Sequence, residues 1–252
     1  MHAMILAAGK GTRLRPLTDA VPKPLLEVAG APMIAFPLHL VREAGIKEVV
    51  INLHHLGDQI RSRLGDGAEY GVRITYSEEE PILDTGGAIA AAKRFLSGDT
   101  FVVLNADTVS DVPLREVIDF HRQHQAMATM VVRPDPDAAR HDAIFLDASH
   151  RMHAILGHGD GGRTVRDGSA NRMMYAGITV LEPRVFDYMP QGIFSITRDV
   201  FPRLLRAGEA LYGYVHEGYW RVLDTLPDLA AGREELAQRG AGENFLDKVR
   251  HA

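Results

Sequence analysis

The start of the chain constrains the rest more than any other stretch. Residues 3–8, Ala-Met-Ile-Leu-Ala-Ala, form a continuous apolar run that meets Gly9, Lys10, Gly11 and Thr12. A short apolar run closed by glycine is the pattern of a strand buried on both faces. That strand must deliver a glycine loop, and the periodicity of the next hundred residues decides which kind of unit it opens.

Over residues 32–44, Ile34, Leu38, Leu40 and Val41 recur on a helical period, Gly45 stops the helix, and residues 48–52 are the next apolar run. Residues 55–64 repeat the helical pattern through Leu56, Ile60 and Leu64, residues 72–76 alternate as a strand, and residues 86–96 read as an alanine-rich helix. Another apolar strand, 101–104, ends at Asn105, Ala106 and Asp107. Strands alternating with helices predict a Rossmann-like, doubly wound α/β fold with a mixed, mostly parallel sheet. In such a sheet the ligand site lies beyond the carboxyl ends of the strands. Both the glycine loop and Asp107 fall at such ends.

The second half is less regular: a helix near 113–124, a strand at 127–133, short apolar runs at 143–147 and 175–181, and a last helix over 227–238. Residues 157–172, rich in Gly, Asp, Arg and His, read as a mobile loop. We expect one domain over 1–252, with halves at 1–110 and 111–230 and a tail at 231–252. No internal repeat announces a β-helix.

Composition excludes some classes of partner. Lys and Arg total 28 against 33 Asp and Glu, a net charge of -5, which is not the basic balance of a nucleic-acid binder. A single small anion needs only a few well-placed donors, so a nucleotide remains open. The absence of cysteine removes disulfides, thiolate nucleophiles and cysteine-ligated zinc, and suits a reducing cytoplasm. No signal-like segment and no run of roughly 20 apolar residues suggests a membrane.

The strongest chemical signal is Leu6-Ala-Ala-Gly-Lys-Gly-Thr-Arg-Leu-Arg-Pro-Leu-Thr18, followed by Pro22-Lys-Pro24. Gly9 and Gly11 permit positive φ and let backbone N–H groups approach phosphate oxygens without a Cβ in the way. Thr12 adds a hydroxyl, Arg13 a planar fork for phosphates, and Lys23, between two prolines, a point charge on a stiffened loop. The run is neither a Walker A motif nor a dinucleotide fingerprint. On its own, a glycine pair also fits a plain strand-to-helix turn with solvated charges.

The whole segment resembles the signature of the sugar-1-phosphate nucleotidylyltransferases. Further resemblances come in that family's order: Leu83-Asp-Thr-Gly-Gly-Ala88, Val103-Leu-Asn-Ala-Asp107, Tyr175-Ala-Gly-Ile178, Phe194 to Pro202, and Gly218-Tyr-Trp220. They cover roughly residues 3–230. The short branch acting on hexose or muramic-acid phosphates is the most similar, through Asp84-Thr-Gly-Gly.

The resemblance implies a nucleotide-diphospho-sugar transferase fold, a nucleoside triphosphate and a sugar 1-phosphate as substrates, and a monomer or small homo-oligomer. It also implies that Leu6, Ala8, Gly9, Gly11, Thr12 and Arg13 hold the nucleotide, with Glu79, Asp84, Gly86 and Gly87 around the base. Arg13 and Lys23 serve catalysis in this reading, Asn105 and Gly177 meet the sugar phosphate, and Asp107 binds Mg²⁺. A carboxylate accepts without donating, which suits a guanine edge, whereas backbone groups pair with uracil or thymine; both stay open. As a plain sequence feature, Glu78, Glu79 and Glu80 are an exposed acidic run. The histidines show no metal-ligand spacing.

Two departures stand out. The family places a second metal-binding aspartate two residues after the tryptophan, where this chain has Val222. Asp224, two residues further on an extended strand, is displaced by roughly 6–7 Å and needs a local shift to serve instead. The family's sugar-phosphate lysine is missing around 155–160, where His158 and Arg163 read as ordinary loop residues or as its substitutes. The departures keep two alternatives in view: a catalytically weakened, nucleotide-sugar-binding relative, and a transferase for a non-sugar phosphate such as choline phosphate.

Overall fold

In the computed structural model, residues 1–134, 143–155, 158–159 and 172–239 are described. The chain opens with β1 (His2–Leu6) and the short α1 (Leu17–Ala20), then a small hairpin of β2 (Glu27–Val28) and β3 (Ala31–Pro32). Next come α2 (Ala35–Glu43), β4 (Glu48–Leu53), α3 (Gly57–Leu64), β5 (Arg73–Glu78), α4 (Asp84–Ala91) and α5 (Lys93–Leu96). The middle of the chain supplies β6 (Phe101–Asn105), β7 (Thr108–Ser110), α6 (Leu114–Gln123) and β8 (Ala128–Pro134). It ends with β9 (Ile144–Leu146), β10 (Met152–Ile155), β11 (His158–Gly159), β12 (Arg172–Leu181), α7 (Phe201–Arg206), β13 (Leu211–Val215), β14 (Trp220–Val222) and α8 (Leu226–Arg239).

These elements fall into two compact units. One is built from His2–Ile82, Leu104–Leu114 and the segment from Gly218 onward. Its β1 and β4 pair in parallel, Ile5 opposite Ile51, and β4 pairs in parallel with β5, Asn52 opposite Ser77. Ala3, Met4 and Ile5 of β1 are fully buried together with Phe36 and Leu38 of α2 and Ile51 of β4. This is the doubly covered strand that the apolar opening run predicts, with β1 ending at Leu6 as the chain turns into the loop. α2 stops where expected, at Gly45, whose φ of 81° suits a residue without Cβ. A separate ribbon of β7 and β14 pairs antiparallel, Val222 opposite Thr108, and belongs to the same unit.

The other unit comprises Leu83–Val103 and Arg115–Glu217, with Met1. Here β12 pairs antiparallel with β8 and β9, β9 with β10, and β13 runs parallel to β8. The alanine-rich helix expected over 86–96 begins at Asp84 and breaks at Ala92 into α4 and α5. The region 157–172 lies mostly outside the described residues, as do His141 and Arg163; His158 is an exposed residue of β11. No helix among the described residues is long and apolar enough to cross a membrane.

Candidate active site

In the first unit, the loop after β1 is held by its own backbone and by one threonine. Gly11, at φ 61°, accepts Leu14 N–H at 2.9 Å, and the buried Thr18 donates its hydroxyl to the same Gly11 carbonyl at 2.8 Å. A Cβ on Gly11 would stand 2.8 Å from Thr18 Cγ2 and 3.1 Å from Lys23 Cβ, so sterics as well as φ demand glycine there. Gly9 differs: its φ is not positive, and a Cβ would meet nothing within 4 Å. Only Gly11 uses the left-handed freedom expected of both. At Gly9 the exposed backbone opens onto free space, which is what an approaching phosphate requires. Leu6 ends the strand that delivers the loop, the buried Ala8 follows it, and Thr12 and Arg13 sit exposed in a 3-10 turn.

Four charged side chains converge beside this loop. Lys23, in a 3-10 turn between Pro22 and Pro24, is only 8% exposed. Its ammonium donates to Asp107 Oδ2 at 2.5 Å and to Asp224 Oδ1 at 2.9 Å. Arg13, 70% exposed at its side chain, reaches the other oxygen of Asp224 at 2.5 Å. Asp107 Oδ1 is buried and has no hydrogen-bond partner.

An extended strand through residue 224 would hold Asp224 off the site. The structure brings it in, and local geometry explains how. β14 pairs with β7 only as far as Val222; Leu223 then donates its N–H to Asp107 O at 2.9 Å and buries its side chain completely. Immediately afterwards Thr225 and Asp228 form a capping box. Thr225 Oγ1 and N–H donate to Asp228 Oδ2 at 2.6 and 3.1 Å, and Asp228 N–H donates back to Thr225 Oγ1 at 3.2 Å. Asp224 is therefore pinned between a strand end and a helix start, and it leaves the extended path along which Val222 would have been its proxy.

A second polar array lies at the carboxyl ends of β1, β4 and β5. Asn52 accepts Ala7 N–H on its Oδ1 at 2.7 Å and donates its Nδ2 to Glu79 Oε1 at 2.8 Å, all buried. Glu79 is 5% exposed, whereas Glu78 and Glu80 on either side are exposed. The acidic run is thus solvated at two of its three positions. The sequence expectations omit Asn52; its readable sign is an amide directly after the apolar run 49–51.

The remaining predicted residues sit in the other unit or close a strand. Asp84 adopts φ 60° at the start of α4, accepts Thr85 N–H at 2.6 Å and pairs with Arg198 at 3.0 Å. Gly86 and Gly87 both donate N–H to Phe194 O, at 2.9 and 3.1 Å. A Cβ on Gly86 would fall 2.5 Å from the Phe194 ring, and one on Gly87 2.7 Å from Gly192 O. Close packing of α4 on residues 192–196 accounts for that glycine pair. Gly177, at φ 83°, lies where the β12–β8 register shifts between Tyr175 and Thr179, a bulge that selects glycine. Burial pushes the Tyr175 phenol well above its ordinary pKa, and Thr179 Oγ1 donates to it at 2.8 Å. Asn105 is the half-buried last residue of β6.

Bare backbone, two cations and two carboxylates thus lie together at this loop. Comparison with known proteins gives the chain's family. Residues 2–239 match the nucleotidyl transferase family, and the chain belongs to that family. It is 36% identical over 240 residues to a mannose-1-phosphate guanylyltransferase of Mycobacterium tuberculosis, covering 94% of this chain and 65% of the relative's length. It is also 36% identical over 246 residues to an N-acetylmuramate alpha-1-phosphate uridylyltransferase of Neisseria meningitidis, covering 96% of this chain and 99% of that one. Among solved structures, a Bacillus anthracis protein described as a glucose-1-phosphate thymidylyltransferase superposes with a TM-score of 0.81 at 23% identity, covering 98% of this chain and 99% of that one. That likeness establishes the nucleotide-diphospho-sugar transferase fold. Members of the family typically use a divalent metal.

Proposed function

We propose that this chain transfers a nucleotidyl group from a nucleoside triphosphate to a sugar 1-phosphate, releasing pyrophosphate. The observation that carries the reading is the convergence of Lys23, Arg13, Asp107 and Asp224 beside the open Gly9 backbone. The family match and the relatives named above support it.

Asp107 and Asp224 fit a hard divalent cation, Mg²⁺ in our reading. Asp107 offers a buried oxygen without a partner, and among the described residues no cage of three or more His, Asp or Glu competes for the ion. Two carboxylates leave coordination positions for phosphate oxygens and water, as Mg²⁺ prefers. When bound, the ion supplies charge neutralisation across the phosphates.

The chain's own groups do the rest. The backbone at Gly9 and the 3-10 turn at Thr12 receive the triphosphate. Arg13, exposed and paired with Asp224, swings to the β and γ phosphates and steadies the pyrophosphate as it departs. Lys23 places positive charge next to the reacting phosphorus. The attacking oxygen belongs to a phosphate monoester whose second pKa is about 6, so it is anionic at neutral pH without a general base. Catalysis then rests on orientation and electrostatics.

Val222 motivates the weakened-relative reading; Asp224, which shares the Lys23 ammonium with Asp107, supports the active reading instead. The test is pyrophosphate release over a panel of nucleoside triphosphates and sugar 1-phosphates with Mg²⁺. At least one pair should turn over, and Arg13→Ala should lower that turnover by about two orders of magnitude or more with an unchanged melting curve. Wild-type silence across the panel, or wild-type turnover in the Arg13 variant, overturns the assignment.

A further inference from the structure

The buried chain from Ala7 through Asn52 to Glu79 has a geometry that bears on the loop. Ala7 is the first residue past β1 and lies two residues before Gly9, so its N–H is where the strand stops being held by its neighbour. Asn52 Oδ1 takes that N–H at 2.7 Å. An amide side chain has two faces, one accepting and one donating, and either can point either way unless a neighbour decides. Glu79 decides. Its Oε1 accepts from Asn52 Nδ2 at 2.8 Å, and turning the amide over would set Oδ1 against a carboxylate oxygen and Nδ2 against an N–H. Glu79 is itself fixed on both sides of its peptide: its N–H donates to Leu53 O at 2.9 Å, and its carbonyl lies 3.0 Å from His54 Nδ1.

We infer that Glu79 is a positioning residue for the triphosphate loop, acting through Asn52 on Ala7, and not a reader of the base. The inference rests on the reading that the loop at residues 9–18 receives the triphosphate. Because the phosphates are common to all nucleoside triphosphates, a defect in this relay is blind to the base. A carboxylate meeting the base edge would instead alter the preference among bases.

The experiment compares Glu79→Gln, Glu79→Ala, Asn52→Ala and the Asn52→Ala/Glu79→Ala double variant. Equilibrium binding of the four nucleoside triphosphates, KM for the sugar 1-phosphate and hydrogen exchange at the Ala7 amide are measured. Glu79→Gln keeps an oxygen for Asn52 and should bind as wild type. Each alanine variant should weaken every triphosphate by a similar factor, about tenfold for one lost buried hydrogen bond, with the sugar 1-phosphate KM unmoved. The double variant should be no worse than the poorer single, because both cut one chain of contacts.

A base-selective change in Glu79→Ala, or multiplying effects in the double variant, overturns the inference. Exchange needs no variant to fold: in the wild type the Ala7 amide should be protected far beyond that of the exposed Lys10, and equal exchange overturns the relay directly. A protected Ala7 in a wild type that binds no triphosphate would overturn the nucleotide reading and, with it, the function assigned to the relay.

Discussion

Replacing Lys23 with methionine keeps most of the side-chain volume and removes the charge that bridges two acids. In the wild type the ammonium lies 2.5 Å from Asp107 and 2.9 Å from Asp224, and the acids remain 27% and 21% exposed. Breaking a fully buried pair costs about 3–5 kcal/mol, and losing an exposed one about 0–1 kcal/mol. With partly exposed acids and Arg13 still on Asp224, the expected loss is about 2 kcal/mol. In a chain of this size each kcal/mol moves the melting point by about 2–4 °C, so Lys23→Met should melt about 4–8 °C lower in EDTA.

The same variant should respond more to Mg²⁺ than the wild type does, because two facing carboxylates no longer share a cation with the protein. Mg²⁺ at roughly 100 times its dissociation constant returns about 2.7 kcal/mol, enough to restore the melting point. Circular dichroism melts across a Mg²⁺ series read both effects. A Lys23→Met protein that melts within a degree of wild type in EDTA, or gains no more from Mg²⁺, refutes the bridging role.

The glycines separate along a similar line. Gly86→Ala should destabilise by about 1–3 kcal/mol in urea titration, since the added Cβ lies 2.5 Å from the Phe194 ring. Gly9→Ala meets nothing and should keep wild-type stability within about 0.5 kcal/mol while losing triphosphate affinity in a binding titration. His121 gives the pH dependence. It is buried against Thr129 and Glu182, at 3.0 and 3.1 Å, and burial holds its imidazole below the ordinary pKa despite the opposing Glu182 hydrogen bond. The unfolded chain then takes up a proton that the folded chain refuses, so stability falls as pH drops from the ordinary histidine range toward the lowered native value. Melting points recorded from pH 7.5 to 5 should show that slope in wild type and a shallower one in His121→Gln.

The parts legible in the sequence are those whose cause is local. The glycine loop announces itself because φ and close packing demand glycine at Gly11, and α2 because its period and the stop at Gly45 are read within one short stretch. Asp224 is hard to place from sequence because its position depends on where β14 stops pairing with β7, a partner over a hundred residues away in sequence, and on the cap after it. The readable sign is Thr225 three residues before Asp228. Glu79 looks like a member of an exposed acidic run because burial there is set by Asn52 across two strand ends. β13 (Leu211–Val215) escapes for a similar reason: its alternation is short and interrupted by Gly213, and what makes it a strand is β8 alongside.

The cap at Thr225 and Asp228 has a consequence for how the site is tuned. Leu223 lies under Gly232 so closely that a Cβ there would come within 2.5 Å of it, and Arg221 is ion-paired to Glu235 of the same helix. The acid at 224 therefore rides on α8 as a sight rides on a barrel: a small rotation of the helix re-aims the carboxylate without altering any residue of the site. On the proposed function, substitutions along the helix's inner face would adjust catalysis as well as packing.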